Sequence, residues 1–125
     1  MTVVKANMFD YCTILSTVRL GKVTSIESTA FRGCHGLITA DFPVAEKIDS
    51  YCFRRCDALE TLIIRTPAVA QLVNKNALQN TLIDDGTGFI YVPSALVETY
   101  KTTTNWVTYA SQFRAIEDYP RVTEV

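Results

Sequence analysis

Apolar residues along this chain form a ladder with a fixed step. The series Phe53-x-x-Cys56-x-x-Leu59-x-x-Leu62-x-Ile64 is matched 22 residues upstream by Phe31, Cys34, Leu37, Ala40 and Phe42. A second step of the same length reaches Phe9, Cys12, Leu15, Val18 and Leu20, and it carries Ile48 back onto Ile26 and Val4. A period of this length is the signature of a solenoid, in which one coil cannot bury its own apolar face but stacked coils can. The predicted coils cover about 3–22, 23–44 and 45–67, with a degenerate fourth over 68–93.

Within a coil the pattern changes character. A segment such as Ser50 to Phe53 reads as a tight helical or 3₁₀ turn that points Phe53 and Cys56 inward. Leu59 to Ile64 then alternates, which predicts a strand with Leu62 and Ile64 inward; Leu15 to Leu20 and Leu37 to Phe42 are its counterparts. A second short extended piece ends at Ile26 and at Ile48. In the fourth coil Val73 is expected in the slot of Ile48, and Thr81 in that of the cysteine. A turn-rich insertion, Asp84 to Gly88, precedes Phe89 to Pro93, which matches the strand ending Phe42-Pro43.

After Pro93 the apolar spacing becomes helical. Ser94 is expected to cap a helix over Ala95 to Lys101, and Asn105 a second one carrying Trp106, Tyr109, Ala110 and Phe113 on one stripe. A last edge strand is expected at Ala115 to Glu117, then a loose tail over 118–125. Residues 94–125 thus predict a helical C-terminal cap, which a solenoid needs to hide its last apolar face. The expected fold class is an α/β solenoid with a parallel sheet.

The pattern S-I-x-x-x-A-F-x-x-C-x-x-L-x-x-A-x-F-P, from Ser25 to Pro43, resembles the BspA-type (treponemal-type) leucine-rich repeat. The resemblance covers about residues 3–67 and recurs in three coils, with Met8 and Cys52 standing where the pattern has its small Ala. It implies a short right-handed leucine-rich-repeat stack used for surface attachment and protein binding, at a cell surface, outside the cell or on a virion. The segment YVPSALVETYKTTTNWVTYASQFRAIED is similar to the ending of many such proteins in bacteria and their phages.

Composition adds exclusions. The 125 residues are 48% hydrophobic and 20% charged, as in ordinary globular chains, and the net charge of −1 gives no electrostatic footprint for nucleic acid. No apolar run approaches the ~20 residues that span a bilayer. Lys5, Asp10 and Arg19 interrupt any signal-peptide core, which predicts no export by a standard signal for this chain taken alone. It is also compatible with a place in a larger secreted protein or in a particle assembled within a cell.

Candidate chemistry is sparse. Cys12, Cys34 and Cys56 share one inward column, which predicts reduced, structural thiols in an apolar ladder rather than disulfides. The lone His35 and the spacing Cys52-x₃-Cys56 lack a matching second pair for zinc. Asp84-Asp85-Gly86-Thr87-Gly88 lacks the alternating ligands of a calcium loop and reads as a turn. Glu27 and Asp49 stack in one column whose charge Lys5 partly offsets. No catalytic residues, no metal and no cofactor are expected, and the chain is read as a non-enzyme.

Function is therefore sought on faces and ends. Alternation puts Thr17, Thr39 and Thr61 in one outward column and Arg19, Asp41 and Ile63 in the next, with Phe89 and Tyr91 extending the two. The candidate binding residues are Ile63, Arg65, Phe89, Tyr91, Arg19 and Asp41. They are expected to form an apolar, aromatic patch that either binds a protein or glycan or lies beneath the C-terminal helices. Val3, Val4 and Phe9, on an uncapped first coil, are the candidate docking edge for a second copy, another partner or upstream sequence. The resulting expectation is a binding module for a protein or glycan, or else a structural component of an assembly such as a phage virion or tail.

Overall fold

The computed structural model describes residues 2–118. Its strands are β1 (Thr2–Val4), β2 (Thr17–Arg19), β3 (Val23–Ile26), β4 (Thr39–Phe42), β5 (Lys47–Ile48), β6 (Thr61–Ile64), β7 (Gln71–Leu72), β8 (Phe89–Val92) and β9 (Phe113–Ala115). They sort into two parallel sheets, β1-β3-β5-β7 and β2-β4-β6-β8-β9. The chain visits the two sheets alternately as far as β8, so each circuit is one coil of an α/β solenoid. The register repeats the sequence ladder: Thr17, Thr39 and Thr61 are partners across strands, as are Arg19, Asp41 and Ile63. In the second sheet the strands start two residues later than alternation predicts, because Leu15, Leu37 and Leu59 still belong to the turn.

Between a coil's two strands the backbone is bonded to its neighbour without forming a strand. Phe9 N donates to Ala30 O (2.8 Å), Phe31 N to Cys52 O (2.9 Å) and Phe53 N to Ala77 O (2.8 Å). Two residues on, Tyr11 N, Gly33 N and Arg55 N bond to Arg32 O, Arg54 O and Gln79 O. The donating residues of this second series have positive φ: 58° at Tyr11, 73° at Gly33 and 65° at Arg55. This left-handed backbone belongs to runs of β-turns, such as Arg54 N to Tyr51 O, and leaves N–H groups for the next coil. The predicted helical turn at Ser50 to Phe53 is therefore absent; only coil four has a 3₁₀ turn there, Lys75–Leu78. Gly33 takes this conformation without the cost that Tyr11 and Arg55 bear, and a Cβ there would run into the ring of Tyr11.

The side chains inside follow the ladder. Phe31 stacks on Phe9 (5.1 Å between centroids) and on Phe53 (5.4 Å), and Phe42 leans against both Phe31 and Phe53. All four cysteines are free thiols, and Cys34, Cys52 and Cys56 are buried. Their column is not purely apolar: Cys34 Sγ donates to Phe9 O (3.1 Å) and Cys56 Sγ to Phe31 O (2.9 Å). The thiols thus tie each coil to the one before it, while the amides tie it to the one after.

Coil four departs from the expected register. Leu72, not Val73, is the partner of Ile48, so the inserted residues are split between the two sides of β7. Burial of Ala70 and Leu72 with Gln71 exposed sets that parity. In the insertion Asp84 Oδ2 accepts from Asn80 N, and Asp85 Oδ1 from Thr87 N, as in a turn.

The C-terminal segment is less helical than its spacing suggests. A 3₁₀ turn at Ser94–Leu96 leads into helix α1 (Val97–Thr102), and a kinked 3₁₀ segment covers Trp106–Gln112. Ser94 does not cap: it lies inside the first turn, and its hydroxyl donates to Glu117. Asn105 spends its side-chain amide elsewhere, donating to Leu72 O (2.7 Å) and Val73 O (3.0 Å). Trp106 Nε1 donates to Ala70 O, Ala70 N donates to Tyr100 Oη, and Tyr109 Oη donates to Lys75 O. These side chains satisfy backbone that would otherwise be an open sheet edge. Tyr100, Trp106 and Phe113 pack together over the coil end, with centroids 5.2 to 5.8 Å apart. The last strand begins at Phe113 rather than Ala115, because Phe113 turns inward to complete this cluster. A 3₁₀ turn follows at Ile116–Asp118, and the predicted tail beyond it lies outside the described residues.

Two predictions follow from this packing. Phe53→Ala should destabilise the fold by roughly 3–5 kcal/mol in urea unfolding, and Phe9→Ala by clearly less, since only Phe53 is fully enclosed by its neighbours. Stability should also fall above about pH 9. Burial raises the thiol of Cys52 and the phenols of Tyr100 and Tyr109. A group whose acidity is weakened by folding holds its proton longer in the native state, so its contribution is complete below the ordinary pKa and lost above it. A melting temperature that stays level from pH 8 to 11 would contradict this.

Candidate functional site

Outward-facing residues of the second sheet make a continuous surface. Arg19, Asp41, Ile63, Tyr91 and Arg114 stand in register across β2, β4, β6, β8 and β9. A parallel row, Thr17, Thr39, Thr61 and Phe89, runs beside it. The sheet thereby gathers Arg19, Asp41, Arg65, Ile63, Phe89 and Tyr91 on one face. Val3, Val4 and Phe9 lie away from it, at the first coil.

The middle of this face is nearly buried. Ile63 is only 2% exposed and Tyr91 7%. The described C-terminal helices bond to Ala70, Leu72, Val73 and Lys75 at the coil end. Ile63 and Tyr91 stand in one row across the strands at ladder spacing.

Asp41 organises the charge. Arg65 grips it with two bonds, Nε to Oδ1 and a terminal nitrogen to Oδ2, both 3.0 Å, and Arg19 adds a third at 3.3 Å. The carboxylate is almost buried, while the Arg19 side chain keeps 60% of its exposure. Such a bidentate, charge-assisted pair fixes the fork of Arg65 across the sheet. Arg114 was not among the candidates from the sequence, because its strand was expected two residues later. Its guanidinium lies 4.6 Å from the centre of the Phe89 ring and donates to Ser111 O and Phe113 O. Both Arg114 and Arg65 are thus held in place before any ligand arrives.

Among the described residues the first coil has strands paired on one side: β1 pairs with β3 alone and β2 with β4 alone. Val4 is buried, whereas Val3 and Phe9 are partly exposed. A groove of about 250 Å³ at this end is lined by Phe9, Leu15, Val18, Leu20 and Phe31 among others. Met8, Tyr11 and Ile14 of the same coil are also well exposed.

Other candidate chemistry resolves into local structure. His35 Nδ1 faces Asp57 Oδ1 at 3.2 Å in an open groove with Arg55, Asp84 and Asp85. Glu27 accepts a bond from Ala6 N and Asp49 from Ser50 N, so both stacked carboxylates serve the backbone. Among the described residues no group of three or more His, Cys, Asp or Glu is placed to hold a metal ion. Nor is any described helix long and apolar enough to cross a membrane.

Asp41→Ala should cost about 1–2 kcal/mol in chemical unfolding, as it removes the nearly buried carboxylate that Arg65 and Arg19 both bond. A variant as stable as the parent would mean that the network contributes nothing to the fold.

No curated protein matches the chain, and no solved structure does. A family model described as a BspA-type leucine-rich repeat region of six copies matches residues 1–94. That family is generally non-enzymatic and suggests a repeat-based binding module. With the match spanning most of its length and both sheets built from the repeat, the chain belongs to the BspA-type leucine-rich repeat family.

Proposed function

We propose that this chain is an attachment module that holds a protein or glycan against the outer face of its five-stranded sheet, at a cell surface. The observation that carries this reading is the pre-set row from Arg19 to Arg114, with Arg65 clamped on Asp41. Arginine and aromatic residues held rigid on a flat face lose little conformational freedom on binding, a composition common at energetic centres of interfaces. The family membership supports binding rather than catalysis.

A second reading is favoured by the first coil. One-sided pairing of β1 and β2, next to an apolar groove, suits a structural component of an assembly such as a phage virion or tail. In that role the edge at Val3, Val4 and Phe9 docks on a second copy or another subunit.

The two readings separate in one experiment. Beads coated with the chain should adhere to cultured cell monolayers, and Arg19→Glu with Arg114→Glu should remove most of that adhesion. Uncoated beads and the Val3→Pro variant are the controls. Adhesion that survives the arginine changes removes the sheet-face reading. A chain that does not adhere, but sediments as an oligomer dissociated by Val3→Pro, favours assembly instead.

A further inference from the structure

We propose that Cys12 and Cys34 are a site of oxidation by hydrogen peroxide, which joins them in a disulfide and staples the first coil to the second. All four cysteines are free thiols in this structure, but they differ in access. Cys34, Cys52 and Cys56 are buried, whereas Cys12 is partly exposed. The proposal does not depend on the sheet-face reading, since both thiols belong to the inward column of the ladder.

Two hydrogen bonds that meet on one atom carry it. Phe9 O accepts from Cys12 N at 3.0 Å and from Cys34 Sγ at 3.1 Å. The Cys34 sulfur thus reaches out of its own coil to the turn that holds Cys12. Beside the cysteines, Tyr11 N donates to Arg32 O at 2.7 Å, and the equivalent residues Tyr11 and Gly33 share positive φ, 58° and 73°. The two turns are copies stacked one coil apart, about 4.8 Å. That spacing falls among the Cα separations of about 4.4–6.8 Å that a disulfide spans, and copied turns do not aim their Cβ atoms apart. Among the described residues Cys12 Sγ donates to no carbonyl, while Cys34 and Cys56 both do, so Cys12 turns towards its neighbour without breaking a bond.

Cys56 repeats the relation one coil on, since Phe31 O accepts from Cys34 N (3.3 Å) and from Cys56 Sγ (2.9 Å). Both of those thiols are buried, so an oxidant arriving from solvent meets Cys12 first. The O–O bond of the peroxide breaks at the Cys12 sulfur, which becomes a sulfenic acid as one water leaves. The Cys34 sulfur gives up its proton and attacks the Cys12 sulfur. The S–O bond breaks, and the oxygen departs as a second water. One peroxide is reduced and two thiols are oxidised. The described strands of the first coil are paired on one side, so this coil has the fewest contacts to lose before it frays. A bridge from Cys12 to Cys34 ties it to the coil behind it.

The test takes the intact chain, freed of reductant and treated with dilute hydrogen peroxide, and reads tryptic peptides by mass spectrometry alongside melting curves. The expected product is a monomer with one Cys12–Cys34 bridge, and with Cys52 and Cys56 still free when the chain is unfolded and alkylated. Its melting temperature should rise by about 5 °C or more, and dithiothreitol should reverse the rise. Cys12→Ser should fold like the reduced parent, by circular dichroism and melting, and should keep Cys34, Cys52 and Cys56 reduced under the same treatment. A Cys34–Cys56 bridge, a Cys12–Cys12 dimer, or Cys12 carried on to sulfinic acid while Cys34 stays free overturns the proposal. So does a treated chain that retains all four thiols. A Cys12–Cys34 bridge that leaves the melting temperature unchanged overturns the staple.

Discussion

A coil of this protein has too little apolar surface to fold alone, and what makes it stable is the coil stacked against it. The contact repeats with little variation: amides of one turn donate to carbonyls of the next, phenylalanine lies on phenylalanine, and a buried thiol reaches back to the preceding coil. The hydrogen bonds have a direction. To send Tyr11 N and Arg55 N along the stack, the backbone adopts positive φ at bulky residues, a conformation that costs about 1–2 kcal/mol for an ordinary residue. That cost is repaid only when the neighbouring carbonyl is present, so the turn conformation itself depends on stacking. Local sequence cannot choose it, which is why Ser50 to Phe53 resembles a helical turn when taken alone.

Where the repeat is strict, the sequence was a reliable guide. Inward columns, parallel pairing and the partnership of Thr61 with Phe89 all follow from a 22-residue step and strand alternation. Legibility ended where spacing no longer constrains the chain. Val73 was expected opposite Ile48 because counting cannot say on which side of β7 the extra residues lie; burial of Leu72 decides it. Phe113 fits a helical stripe equally well, but it enters a strand because the aromatic cluster with Tyr100 and Trp106 closes the coil end. Asn105 looks like a cap residue in sequence, yet two carbonyls at β7 are stronger claimants for its amide. In each case a tertiary contact overrode a local preference.

The outer face shows the same division between what alternation determines and what it leaves open. Alternation determines which residues point outward but not how much water they see. Ile63 and Tyr91 are outward by register and yet nearly buried. Asp41 is outward too, but the double grip of Arg65 turns it into an anchor for cations rather than a free negative charge. A patch that reads from sequence as apolar thus holds an ion-pair network of Arg19, Asp41 and Arg65 beside nearly buried Ile63 and Tyr91. Arg114 completes it only because β9 adds one more strand to the sheet, in register with Tyr91.

The two ends of the stack meet the open-edge problem differently. At the C-terminal end four side chains, Tyr100, Asn105, Trp106 and Tyr109, are spent on the backbone of Ala70, Leu72, Val73 and Lys75. Hydrogen bonds from side chains cover the β7 edge without extending that sheet. The first coil has strands paired on one side and half-exposed Phe9, Leu15 and Leu20. The two ends of the four-stranded sheet are therefore unlike: β7 meets side chains of the C-terminal segment, whereas among the described strands β1 meets β3 alone.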